Sequence, residues 1–120
     1  MSKVELAWAA GFYDGEGSIS CTANNGNPNT RIQLSIGQKN DDGKKSSARL
    51  ERFKRAMGVG KIYKKTRIGK EINQSQFLVC KAADVGTCVK LLWPNISVEK
   101  RNQMARAVEK FQHTTKKKII

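Results

Sequence analysis

The sequence predicts an α+β domain in which helices cover one face of an antiparallel sheet. Two pairs of alternating apolar and polar runs, each pair joined by turn residues, predict two β-hairpins. Segments with helical periodicity precede, separate and follow these hairpins. Because 120 residues suit a single hydrophobic core, residues 1–120 are predicted to form one domain.

Each predicted element has a local signal at its end. Ser2 and Glu5 have the capping-box spacing at the start of the first helix, and Gly58 ends the second. Pro94 ends the third helix and Ser97 caps the fourth. We expect the basic tail over 112–120 to be frayed. The predicted elements are a helix over 2–13, strands over 18–24 and 30–38, a helix from Ser46 or Ser47 to 57, strands over 61–67 and 72–81, and helices over 83–93 and from 98.

The charge balance restricts the class of partner. Lys and Arg number 23 against 10 Asp and Glu, which gives a net charge of +13. Such an excess favours nucleic acid over a membrane or a small-molecule substrate. The sequence has no apolar run near the roughly 20 residues of a membrane span and no signal-peptide pattern, and its three cysteines lack a C-x-x-C pair. We therefore expect an intracellular protein, in a compartment that the sequence does not indicate.

The outward-facing positions of the predicted strands are polar with a basic bias. Arg and Lys suit guanine edges and phosphates, Asn and Gln suit adenine edges, and a two-stranded ribbon fits the major groove. The alternative is a sheet face that is merely solvated. A second basic block over 44–55 either flanks the duplex or is a solvated helix face. The candidate DNA-binding residues are Ser20, Thr22, Asn24, Arg31, Gln33, Ser35, Lys61, Tyr63, Lys65, Arg67, Gln74 and Gln76.

One side of the first helix consists of small residues. Ala7 and Gly11 are four residues apart and Ala10 lies beside them, so another backbone could approach closely. The chain offers no matching Ala/Gly run on another helix, which favours a symmetric homodimer across this helix. The alternative is packing against a helix of the same chain.

Two carboxylates follow at the end of this helix, where the helix dipole disfavours negative charge. In a homodimer, Asp14 and Glu16 would bring four carboxylates together, and such charges must protonate, separate or bind a cation. Oxygen ligands favour Mg²⁺ or Ca²⁺. A cation beside a basic nucleic-acid surface indicates phosphodiester hydrolysis. The alternative is a solvent-exposed acidic turn.

At residues 9–17 the sequence AAGFYDGEG resembles the motif of the LAGLIDADG homing endonucleases. The resemblance extends over about residues 4–111. It implies the αββαββα fold of that family, with the antiparallel sheet forming a saddle on DNA. Members with one motif are homodimers, which agrees with the small helix face. The further segments that carry the resemblance are QLSIGQK at 33–39, GVG at 58–60, LWPNIS at 92–97 and KRNQ at 100–103.

The resemblance also implies an activity and a set of site residues. Family members cut both strands of a long, nearly palindromic double-stranded DNA site with Mg²⁺ and leave short 3′ overhangs; Ca²⁺ or Mn²⁺ can substitute for binding or activity. The metal ligands correspond to Glu16 and the Gly15 carbonyl, whereas Asp14 is expected to cap the partner's helix. Gln38 and Lys100 correspond to the residues that position the attacking water and stabilise phosphate charge.

Two residues differ from the family motif, one at the expected metal site and one at the expected dimer interface. Glu16 replaces the usual Asp and is one methylene longer, and Ala9 replaces a larger residue. A non-cleaving relative, either an intron RNA maturase or a DNA-binding regulator, is the alternative function. A generic basic RNA-associated protein is a third possibility, which predicts no dimer and only sequence-independent binding.

Overall fold

The computed structural model describes residues 2–22 and 30–120. The predicted tip of the first hairpin, with the candidate residue Asn24, lies outside the described residues. The elements, in chain order, are α1 (Lys3–Glu16), β1 (Gly17–Thr22), β2 (Arg31–Lys39), α2 (Ala48–Met57), β3 (Lys61–Arg67), β4 (Lys70–Val79), α3 (Ala82–Leu92), a 3₁₀ turn (Trp93–Asn95) and α4 (Val98–Thr115).

The four strands form one antiparallel sheet in the order β1-β2-β4-β3, which confirms the predicted α+β class. The alternation in β2 buries Ile32, Leu34 and Ile36 on the inner face, where they join the hydrophobic core with residues of all four helices. The residues between them point to the other face. The helices therefore cover one side of the sheet and leave its outer side open.

The predicted helix caps are confirmed. The hydroxyl oxygens of Ser2, Ser47 and Ser97 accept hydrogen bonds from backbone N–H groups in the first turns of α1, α2 and α4. Gly58 ends α2 in the left-handed conformation with φ of 73°, which glycine adopts without a steric penalty.

Several element ends differ from the prediction. Helix α1 continues through Asp14 and Glu16 and ends only where Gly17 becomes extended. Strand β4 begins at Lys70 because the hairpin pairing continues to the turn.

The C-terminal tail is also not frayed as expected. Helix α4 runs to Thr115, and the Gln112 side-chain oxygen accepts hydrogen bonds from the backbone N–H groups of Ile119 and Ile120. The Ile119 side chain packs against the core. The contacts of Ile119 and Ile120 therefore order this tail, although the charge of its lysines predicted disorder.

Candidate functional site

The outer face of the sheet brings together the polar side chains of the first hairpin. The register places Ser20 beside Gln33 and Thr22 beside Arg31, and all four residues are exposed. The half-buried Ser35 continues the same row on β2. These side chains form a contiguous hydrogen-bonding surface across β1 and β2.

The second hairpin extends this surface across β4 and β3. Tyr63 pairs with Gln76, and Gln74 pairs with Lys39 of β2. Tyr63 is 49% exposed, so its ring and hydroxyl are accessible from the outer side. The remaining candidate residues on this hairpin are Lys61, Lys65 and Arg67.

Lys65 connects two parts of the outer face. It lies at an irregularity in the pairing between Lys64 and Thr66, and its ammonium group reaches over β4 to Gly37 of β2. A Cβ atom at Gly37 would lie 3.1 Å from the Lys65 Nζ atom. The missing side chain at Gly37 therefore leaves room for a positive charge above the middle of the sheet.

The candidate DNA-binding residues chosen from the sequence omit three residues that face outward. Ser18 pairs with Ser35, Lys39 pairs with Gln74, and Leu78 lies between the neighbouring strands on the outer side. Ser18 already belongs to the polar alternation of the predicted strand over 18–24, and Lys39 lies one residue beyond the strand predicted over 30–38, so the two-residue period identifies both. Leu78 follows the same period after Gln74 and Gln76, but its apolar side chain breaks the polar pattern on which the choice of candidates depended.

The acidic end of α1 contacts the start of α4. The Asp14 Oδ1 atom accepts a hydrogen bond of 2.8 Å from the backbone N–H of Ser97. Hydrogen bonds from the backbone and side chain of Ser97 lower the pKa of the Asp14 carboxyl group. The Asp14 carboxylate thus caps α4 of its own chain, and the expectation that it also caps the partner's helix stays a prediction.

Lys100 lies at the junction between α1 and β1. Its Nζ atom donates a hydrogen bond of 2.6 Å to the carbonyl oxygen of Gly17 and lies 5.7 Å from the centre of the Tyr13 ring. Arg101, the neighbouring basic residue, donates instead to the Trp93 and Pro94 carbonyls of the 3₁₀ turn. Of the two cations, Lys100 is therefore the one beside the acidic helix end.

Glu16 and Gly15 are exposed at the last turn of α1, and a Cβ atom at Gly15 would contact nothing within 4 Å. Gln38 lies two residues beyond Ile36, which pairs with Gly17, and its side-chain amide donates to the Gly37 carbonyl. The three candidate catalytic residues Glu16, Gln38 and Lys100 thus belong to the same end of the sheet.

The donor set at this helix end consists of oxygen atoms, which suits Mg²⁺ or Ca²⁺. Within residues 2–22 and 30–120, however, no three His, Cys, Asp or Glu side chains lie close enough to hold a metal ion. Asp14 is hydrogen-bonded to Ser97, which leaves Glu16 and nearby carbonyl oxygens as the donors of one chain. The residues fit a divalent cation if further oxygen ligands come from a second copy, a phosphate or water.

The small residues of α1 divide between two environments. Ala7 and Gly11 are exposed, and a Cβ atom at Gly11 would contact nothing within 4 Å. Ala10 is 0% exposed and belongs to the hydrophobic core. This corrects the assignment of Ala10 to a dimer interface, because its side chain is already covered within its own chain.

Part of the second basic block is also engaged within the chain. The Arg52 guanidinium donates to both carboxylate oxygens of Glu5 and lies 4.0 Å from the centre of the Trp8 ring. This pairing lowers the pKa of the Glu5 carboxyl group. Arg52 therefore connects α2 to α1.

Comparisons with known proteins agree with this architecture. The structure combines a four-stranded antiparallel sheet with a helix, α1, that ends in acidic residues. The family model described as LAGLIDADG endonuclease matches residues 9–79. This match covers more than half of the chain, which belongs to the LAGLIDADG endonuclease family. A search of curated protein sequences finds no significant match.

Solved structures with a similar fold include three homing endonucleases. I-CvuI, crystallised with its target in the presence of Ca, has a TM-score of 0.68 and 20% identity over 92% of this chain and 68% of its own. I-TnaI has a TM-score of 0.66 and 18% identity, covering 90% of this chain and 69% of its own. I-GzeII, in complex with its DNA target, has a TM-score of 0.73 and 20% identity, covering 93% of this chain and 37% of its own. These likenesses confirm the predicted LAGLIDADG fold.

The helices of the described residues are all too short or too polar to span a bilayer.

Proposed function

We propose that this protein is a site-specific homing endonuclease that acts as a homodimer. It makes a divalent-metal-dependent double-strand cut in a long pseudo-palindromic DNA site and leaves short 3′ overhangs. The observation that carries the proposal is the position of Lys100 against the Gly17 carbonyl, beside the exposed Glu16, at one end of a basic sheet face.

The outer sheet face supports double-stranded DNA as the partner. Exposed Arg31 and Lys61 supply charge for phosphates and guanine edges, and Gln33 and Gln76 supply amides for adenine edges. Strand β2 has 9 residues, and two such strands end to end span about 60 Å. That length corresponds to roughly 18 base pairs at 3.4 Å per step. I-CvuI, I-GzeII and I-Vdi141I were crystallised with targets or DNA, which supports the same partner here.

The exposed small face of α1 supports the homodimer. Ala7 and Gly11 lie on that face, and their small side chains let two helices approach closely. A twofold axis along this face would bring the two Glu16 side chains near each other. Each chain carries one copy of the motif, so two copies of the chain would complete two cutting sites.

Each site residue has a chemical role in this proposal. Glu16 and the Gly15 carbonyl would hold the cation, Mg²⁺ by preference, and Gln38 would orient the attacking water. The Lys100 ammonium would stabilise negative charge that develops on the phosphate. A divalent cation, when bound, polarises the phosphate and stabilises the leaving oxygen. Structures of I-CvuI in the presence of Ca and of Mg support the choice of cation.

Digestion of a randomised DNA library tests the proposal. In the presence of Mg²⁺, purified protein should enrich one cut site of about 18 base pairs with staggered ends. The same reaction with a chelator is the control and should give no product. Specific DNA binding without cutting in Mg²⁺ or Mn²⁺ would instead support a non-cleaving DNA-binding regulator, and absence of any preferred DNA sequence would refute both the endonuclease and the regulator.

A further inference from the structure

The β3–β4 hairpin extends beyond the rest of the sheet. Strand β2 pairs with β4 only as far as Gln74, whereas β4 begins at Lys70 and continues to pair with β3. Residues 66–71, which we term the ribbon tip, therefore form a two-stranded projection without a third strand. It leaves the sheet at the end where Lys39 closes β2, the end that also carries Gln38.

Ile68 is an unusual residue for the turn of this ribbon tip. Ile68 and Gly69 have φ angles of 53° and 74°, and Arg67 pairs with Lys70 across them. Two consecutive positive φ angles in a two-residue hairpin loop are typical of a type I′ turn, in which Asn, Asp and Gly are favoured. A β-branched residue is strained in this conformation. Folding alone therefore gives no reason for isoleucine here.

The side chain of Ile68 also gains no contact that offsets this strain. It is 96% exposed, the highest value among the large hydrophobic residues exposed in the described chain. Strain held at an exposed position points to a role outside the folded chain.

The charges around Ile68 define what it can contact. Residues 61–79 contain five Lys or Arg and one acidic residue, Glu71, whose carboxylate lies 3.7 Å from the Lys64 ammonium. An apolar side chain surrounded by cations suits a polyanion with an apolar group on its surface. The major groove of DNA offers such a group, because the thymine C5-methyl is its main apolar feature and a two-stranded ribbon fits that groove.

We propose that Ile68 contacts a thymine methyl group in the major groove and thereby selects thymine at one position of each half-site. This inference rests on the proposed function, because it requires that the sheet face binds a specific DNA site. It adds an apolar specificity residue to a surface on which the sequence indicated only polar ones.

Deoxyuridine substitution tests this contact, because uracil differs from thymine only by the missing methyl group. The thymines of the selected target are replaced by deoxyuridine one position at a time, in both half-sites. The dissociation constants of wild type and Ile68→Asn are then measured for each DNA. Wild type should lose about fourfold in affinity per methyl group at one position. Ile68→Asn should bind the two DNAs equally there. Equal responses of the two proteins at every thymine would overturn the inference.

Two further variants and one stability measurement separate this contact from other roles. Ile68→Leu keeps an apolar side chain and should retain the uracil response. Lys70→Gln should weaken all targets alike and keep that response, because it removes only charge. Ile68→Asn should raise the melting temperature by a few degrees because it relieves strain; a lower melting temperature would assign Ile68 to folding and refute the contact.

The experiments distinguish a failure of this inference from a failure of the proposed function. If the protein selects and cuts one site but shows no uracil response that depends on Ile68, only the inference fails. If it selects no site, the proposed function fails and the inference falls with it.

Discussion

Replacing Gly17 with alanine should destabilise the protein strongly, although the backbone there suits any residue. Gly17 has φ of −85° and ψ of 161°, so the cost comes from packing alone. An added Cβ atom would lie within 2.7 Å of three Tyr13 ring atoms, Cδ2, Cε2 and Cγ, whereas ordinary contact begins at 3.4 Å. The Tyr13 ring is 0% exposed and cannot move without opening the core.

The magnitude follows from that overlap. Overpacking a closed core costs about 1–3 kcal/mol, and expelling a buried aromatic ring costs about 3–5 kcal/mol, so we expect a loss of about 3 kcal/mol. For a chain of this size the melting temperature should fall by about 12 °C. Thermal unfolding followed by circular dichroism at one fixed protein concentration measures this, because dimerisation makes the melting temperature depend on concentration.

Gly15→Ala is the matched control for Gly17→Ala. A Cβ atom at Gly15 meets nothing within 4 Å, so this variant should match or slightly exceed the wild-type melting temperature. Gly17→Ala should also cost less in a Tyr13→Ala background, because the two residues would no longer collide. A Gly17→Ala melting temperature within 2 °C of wild type would refute the packing argument.

Three further predictions concern residues of α1. Gly11→Ala should stabilise each chain by about 1 kcal/mol yet weaken the homodimer in sedimentation experiments; an unchanged dimer would contradict the proposed interface. Tyr13→Phe should raise the unfolding free energy by about 1 kcal/mol, because the buried Tyr13 hydroxyl has no hydrogen-bond partner in the described chain. A clear decrease in the unfolding free energy would contradict this and show that the hydroxyl has a partner. The pKa of Asp14 is lowered on folding, so its contribution is present above its ordinary pKa of 3.8 and is lost as the pH falls through the lower folded-state pKa. The stability difference between wild type and Asp14→Asn should shrink below about pH 3.8, and a pH-independent difference would contradict this.

The local signals in the sequence predicted most of the fold. The alternation over 30–38 identified the inner face of β2, and the serine before each of three helices identified its start. These features depend on residues within one or two turns of each other, so periodicity and capping chemistry suffice to predict them.

Contacts between distant residues were not predictable in the same way. Asp14 and Ser97 are 83 residues apart, and nothing in the short motif around Asp14 shows that α4 begins beside it. The burial of Ala10 but not of Ala7 depends on which helix packs against α1, which the small size of both residues leaves open. Similarly, the lysines of the C-terminal tail predicted fraying, whereas contacts made by Ile119 and Gln112 determine its conformation.

The carboxylate of Glu16 is central to the proposed function, and one paired measurement tests it. Wild type and Glu16→Gln are compared for binding and for cutting of the selected target, each with Mg²⁺ and with a chelator. We expect Glu16→Gln to bind within about threefold of wild type and to cut at least about a hundredfold more slowly, with wild-type cutting abolished by the chelator. Cutting by Glu16→Gln at the wild-type rate, or wild-type cutting that persists in the chelator, would contradict the proposal.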